Sequence, residues 1–133
     1  MSYVPEFVAL YEIIPYIEFL PLNNTTIRDA VKDYLEGGET RRNAIIKKYG
    51  PIRDWNTSDV TDMSYLFSVY NYFNQPIGEW NTSKVTNVEY MFLCCESSNQ
   101  PICGWDTSNV INMEMMFNGA KSFNRENAPW YHE

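Results

Sequence analysis

From residue 51 onward, the apolar and polar positions fall into the same pattern three times over. The apolar slots are Ile52, Ile77 and Ile102; Trp55, Trp80 and Trp105; Val60, Val85 and Val110; Met63, Val88 and Met113; and Phe67, Phe92 and Phe117. Within one unit they read Ile-x-x-Trp-x-Thr-x-x-Val-x-x-Met-x-x-x-Phe. All four tryptophans, Trp130 included, stand a constant 25 residues apart. A fixed period of this length with no insertions predicts a stacked repeat solenoid. Trp and Thr two apart share one side of a short strand, and the later steps of three or four residues suit a helical turn. The expected coil is one strand and one turn, with strands stacked about 4.8 Å apart in a short parallel β-sheet.

The pattern differs before residue 51. Phe7, Leu10, Tyr11, Ile14 and Ile17 recur at steps of three and four, an amphipathic helix bent or broken at Pro15 and suited to cover an exposed end. After the polar break at 23–26, Thr26 and Asp29 match a capping box. The stripe Ile27, Ala30, Val31, Tyr34 and Leu35 then predicts a helix that stops at Gly37-Gly38. A further helix over residues 40–49 is expected to bury Ala44, Ile45 and Tyr49, with Gly50 and Pro51 as its stop. The chain thus divides into an N-terminal helical segment and cap at 1–50, and three units plus a truncated C-terminal cap at 51–133. Arg41, Arg42, Lys47 and Lys48 read as a solvated helix face, with a phosphate or acidic-lipid patch as the alternative.

Inside the units, Thr86 followed by Glu89 matches another capping box, and Asp62, Asn87 and Asn112 stand where an N-cap is wanted. Asn-Gln-Pro at 74–76 and 99–101 predicts chain reversals, with each asparagine bonding its local backbone. Phe73 and Phe123 are expected at the outer corner, and Ser98 in their slot predicts local underpacking. Trp130 reads as the lid on the last coil, with Glu126, His132 and Glu133 keeping the edge from pairing.

The strings WNTSDVTDMSYLF, FNQPIGEWNTSKVTNVEYMF and NQPICGWDTSNVINMEMMF resemble the DUF285 repeat, also called the Mycoplasma-type lipoprotein or BspA-like surface-protein repeat. With the segment from Leu22 to Gly50, the resemblance spans roughly residues 22–130. It implies a leucine-rich-repeat-like solenoid with no catalytic activity and no functional residue to carry over. Members of the family occur in bacterial surface proteins, protists and giant DNA viruses. The chain has no basic leader or lipidation cysteine, which favours an intracellular or viral member, in the virion or the host cytoplasm, over an adhesin.

Charge narrows the partners. The 133 residues carry a net charge of −7, and residues 51–133 hold four basic against ten acidic side chains, −6. Such a surface repels phosphate backbones, so nucleic acid is a poor partner and protein or neutral-ligand partners fit better. The apolar N-terminus, interrupted by Pro5 and Pro15 and carrying three glutamates, falls short of a membrane span. Cys94, Cys95 and Cys103 form no CxxC pair, and His132 is the single histidine. Zinc, a catalytic triad and a phosphate loop therefore all lack their residues. The expectation is no enzyme, no metal and no cofactor. The cysteines read as reduced fillers of small positions, with a disulfide from Cys103 as the alternative in an oxidising compartment. Asp54, Asp59 and Asp62 are not sustained as carboxylates in later units, which argues against acid–base chemistry and against calcium. Asn23, Asn24, Asn56 and Asn81 are formal glycosylation sequons that local packing explains more simply.

What remains is a surface. Asn56, Asn81 and Asp106 should line one outward face beside Ser58, Ser83 and Ser108, with Asp59, Lys84 and Asn109 next round. The expected function is a non-enzymatic protein-interaction module using this face. The alternative is a structural component of a viral particle or surface layer, monomeric or assembled through the N-terminal segment. A third reading takes residues 4–17 as an F-box-like helix in a substrate adaptor.

Overall fold

The computed structural model describes residues 18–132. The predicted helix over residues 3–20 and the F-box-like reading of residues 4–17 lie outside the described residues, apart from 18–20. Two helices open the described chain: α1 (Thr26–Glu36) and α2 (Gly38–Tyr49). Short 3-10 turns follow at Ile52–Asp54 and Arg125–Asn127.

α1 buries Ile27, Ala30 and Val31, the predicted stripe, and Tyr34 meets the Trp55 ring edge-on at 5.8 Å. Its start differs from the expected capping box. The Asn23 side-chain oxygen accepts from the amides of Thr25 and Thr26, while the Thr26 hydroxyl takes the Asn23 amide. Asn23 therefore satisfies the free donors of the first turn, and Asp29 has no capping role. In α2, Ile45 and Tyr49 are buried, but Ala44 faces solvent, because α2 packs only a narrow stripe against its neighbours. Gly50, at φ +88°, turns the chain out of α2 and donates its amide to the Ile46 carbonyl.

The described residues contain no β-strand and no sheet, only two isolated parallel bridges, Asp62 with Asn87 and Asn87 with Asn112. This overturns the expected leucine-rich-repeat-like solenoid with a parallel sheet. The reason lies in where the hydrogen bonds go. At the predicted strand, the bonds between units come from side chains: the Thr57 and Thr82 hydroxyls donate to the Asn81 and Asp106 carbonyls. The indole N–H groups of Trp80, Trp105 and Trp130 reach the carbonyls of Ile52, Ile77 and Ile102. No extended backbone ladder forms there.

The helical turn expected further along each unit is also absent. In its place runs a series of overlapping turns. The amides of Leu66, Ser68 and Tyr70 close turns on the carbonyls three residues back. The alternate amides of Met63, Tyr65, Phe67 and Val69 instead donate to the Asn87, Glu89, Met91 and Leu93 carbonyls of the next unit. The second unit repeats this from Val88, Tyr90, Phe92 and Cys94 to residues 112, 114, 116 and 118. Alternating between the two duties requires reversed backbone. Tyr65, Val69, Tyr90, Cys94 and Met115 all have positive φ, a conformation that excludes both helix and strand.

The core follows the predicted slots. Ile52, Ile77, Ile102, Trp55, Trp80 and Trp105 are buried, and Trp55 stacks on Trp80 at 5.8 Å. Trp130 stacks on Trp105 at 6.1 Å, as a last lid would. Phe73 and Phe123 turn inward instead of packing an outer corner, lying 3.9 Å and 4.1 Å from Phe67 and Phe117. In the middle unit the Ser98 hydroxyl donates to the Phe73 carbonyl, and a void of about 10 Å³ remains beside Phe92. The predicted underpacking thus amounts to about one water's space. Capping of the first unit falls to one residue just before α1 and one within it: Asn24 accepts from the Thr61 and Asp62 amides, and Arg28 donates to the Ser64 carbonyl.

Candidate functional site

The polar residues expected to form a binding face are exposed, but their hydrogen-bonding groups are largely engaged within the molecule. The side-chain oxygens of Asn56, Asn81 and Asp106 each accept from the amide and hydroxyl of the serine two residues on, at 2.6–3.1 Å. The two Ser108 donors hold the Asp106 carboxyl below the usual carboxylate range. Asx turns of this kind fix the backbone where the expected strand would otherwise run. Round the corner, Lys84 pairs with Asp59 at 3.5 Å, and Asn109 donates to the Ser83 carbonyl at 2.6 Å. Asp59, Lys84 and Asn109 thus tie neighbouring units together, whereas the side chains of Asn56, Asn81 and Asp106 bond within their own units. Asp62, Asn87 and Asn112 behave alike, each accepting the amide two residues on. Thr86 donates to the Thr61 carbonyl in place of the expected capping box with Glu89. The Asn74 and Asn99 side chains accept the Asn99 and Asn124 amides of the next unit, where local backbone bonds were expected.

A second surface is built differently. Tyr65, Tyr90 and Met115 occupy one slot in three successive units, each with φ between 51° and 57°. The Tyr65 amide donates to the Glu89 backbone carbonyl and the Tyr90 amide to that of Glu114, which sets the three side by side. The Tyr65 and Tyr90 rings stack at 5.0 Å and 10°. Tyr65 is 46% and Met115 42% exposed. Partial desolvation, then the charges of Glu89, Tyr90 and Glu114, raise the Tyr65 phenol above its ordinary value. This strip is aromatic, apolar and flanked by carboxylates.

Sequence reasoning passed over this strip because nothing in Tyr65, Tyr90 or Met115 marks a reversed backbone. A signal stood four residues on. Gly119 takes the slot of Val69 and Cys94, and glycine is the residue that φ > 0 favours.

Other chemistry is locally explained. Cys95 is buried and donates its thiol to the Phe67 carbonyl, and burial pushes that thiol up to about 12. Cys94 and Cys103 are exposed and unbridged. Burial, then the bond to the Glu36 carboxylate, raises the Tyr70 phenol. Among the described residues, no group of three or more His, Cys, Asp and Glu side chains comes together to hold a metal ion. Nor is any helix among them long and apolar enough to cross a membrane. An open groove of about 340 Å³ runs past Arg53, Gly78, Glu79 and Cys103, and one of about 250 Å³ lies between Tyr34, Arg42 and Tyr72.

A family model described as a Mycoplasma protein of unknown function, DUF285, matches residues 40–133, from early in α2 through all three units. No curated protein and no solved structure matches the chain.

Proposed function

The chain belongs to the DUF285 family, whose description assigns no function, and we propose that it acts as a non-catalytic protein-binding module through Tyr65, Tyr90 and Met115. One observation carries this reading: three bulky side chains sit side by side in left-handed backbone, with Tyr65 and Met115 exposed and Tyr90 half-buried between them. That conformation costs an L-residue about 1–2 kcal/mol, which glycine avoids. The chain places Tyr, Tyr and Met there, residues that supply contact area at interfaces. Backbone strain held at an exposed apolar surface favours a binding role for it.

The test is partner capture from the native source with three baits. One is the unaltered chain. The second carries Tyr65→Ser, Tyr90→Ser and Met115→Ser. The third carries Asp59→Arg, Lys84→Glu and Asn109→Arg in the polar row. Circular dichroism establishes that each bait is folded. Loss of a partner from the second bait alone supports the strip as the binding surface. Loss from the third alone moves the function to the polar row, and an equal set on all three baits removes the proposal.

A further inference from the structure

The charges around the strip indicate what would cover it. Four ion pairs form among the described residues: Arg28 with Asp62, Arg41 with Asp33, Lys84 with Asp59 and Lys121 with Glu96. Neither Glu89 nor Glu114, the two carboxylates that flank Tyr65, takes part in one. One Glu89 oxygen accepts from the Asn112 side-chain amide at 2.9 Å, which anchors that carboxylate beside the rings. The surrounding units carry −6.

Resting on the binding role proposed above, we infer that the partner presents a lysine- or arginine-rich segment, whose charged heads meet Glu89 and Glu114 while their stems lie on Tyr65, Tyr90 and Met115. Three physical terms favour this occupant. Long basic side chains pack their methylenes on apolar surface and keep the head at a carboxylate. A cation beside tyrosine rings gains from the ring quadrupole. The negative field of the units steers a cationic segment in and repels acidic competitors. The apolar slot also separates this site from a plain acidic surface, because stem packing requires it.

Isothermal titration calorimetry of the full chain with a lysine-rich peptide, and with a glutamate-rich peptide of equal length, tests the inference. The lysine-rich peptide is expected to bind, more weakly as salt is raised, and the glutamate-rich one not to bind. The variant Glu89→Gln with Glu114→Gln should weaken lysine-peptide binding about tenfold or more. The variant Glu79→Gln with Glu126→Gln makes the same change in net charge outside the strip and should leave affinity within about twofold. Equal weakening by both double variants would reduce the effect to general charge attraction and overturn the inference. Absence of binding to the unaltered chain would overturn it too. Self-association of the chain, reversed by Lys47→Glu with Lys48→Glu, would make a second copy the occupant and also overturn it. The two proposals fail separately. A neutral or acidic partner captured through Tyr65 and Tyr90 leaves the binding role standing and removes the cationic segment. Lysine-peptide binding that ignores Tyr65→Ser, Tyr90→Ser and Met115→Ser removes the strip itself.

Discussion

The indole N–H of Trp80 donates to the carbonyl of Ile52, 28 residues earlier, at 2.7 Å. Both residues are buried. The same bond recurs from Trp105 to Ile77 and from Trp130 to Ile102, each at 3.0 Å. Each tryptophan thus fills its own unit with a ring and closes the preceding unit with a hydrogen bond. That double duty explains why the slot holds tryptophan and no other aromatic.

Replacing Trp80 by Phe separates the two roles. The ring's apolar volume is mostly retained, but the Ile52 carbonyl loses one of its two donors and keeps only the Trp55 amide at 3.3 Å. Removing a hydrogen bond of this kind costs about 0.5–1.5 kcal/mol. Urea denaturation of Trp80→Phe should show a loss of that size, and Trp80→Ala a larger one of about 3–5 kcal/mol. A Phe variant as stable as the parent would mean that water or a relaxed backbone replaces the indole.

Val69 offers a gain. Its φ of 66° is poorly suited to a β-branched side chain, and the side chain is 74% exposed. Gly119 occupies the equivalent slot at φ +77° without that cost. Val69→Gly should therefore raise stability by about 1 kcal/mol, relief of backbone strain outweighing the added freedom of the unfolded chain. The reverse change, Gly119→Val, should destabilise, because a Cβ there would lie 3.1 Å from the Cys94 sulfur. Both shifts can be read from thermal melts.

How much of this was legible follows from which groups carry the periodicity. Side-chain burial at Ile52, Trp55, Val60, Met63 and Phe67 is written in the 25-residue spacing, and these residues are buried. The backbone path between them is not written there. A Trp-x-Thr spacing looks identical whether the amides or the threonine hydroxyl make the bond to the next unit, and here the hydroxyl makes it. Steps of three and four residues look identical in a helical turn and in the overlapping turns at 63–70. The polar row of Asn56, Asp59, Asn81, Lys84, Asp106 and Asn109 was visible as exposed positions, but not as residues bonded within the molecule.

Ser98 tests whether the period dictates the best residue. Restoring phenylalanine by analogy with Phe73 and Phe123 would place a ring where a void of about 10 Å³ exists. Phe73 and Phe123 each already lie 6.4 Å from the Phe92 ring. Ser98→Phe is therefore expected to overpack and to cost about 1–3 kcal/mol. Ser98→Ala should cost about 1 kcal/mol through loss of the bond to the Phe73 carbonyl. A stabilised Phe variant in chemical denaturation would show that the neighbouring rings can withdraw.

The Cys95 thiol sets a pH dependence. Burial raises it from an ordinary 9.0 to about 12, so the folded chain holds this proton more tightly than the unfolded chain. Below pH 9 both states are protonated, and the contribution to stability is fully present. Above pH 9 the unfolded thiol ionises first, and stability falls by about 1.4 kcal/mol per pH unit until the folded thiol ionises near pH 12. Tyr70, also raised, loses stability in the same direction at alkaline pH, so the parent alone cannot isolate the cysteine. Comparison with Cys95→Ala does isolate it. Below pH 9 the parent should be more stable by a constant margin, since the variant loses packing and the bond to the Phe67 carbonyl. Above pH 9 that margin should shrink steadily. A margin that holds to pH 11 in urea titrations would show that the folded thiol ionises as easily as the unfolded one.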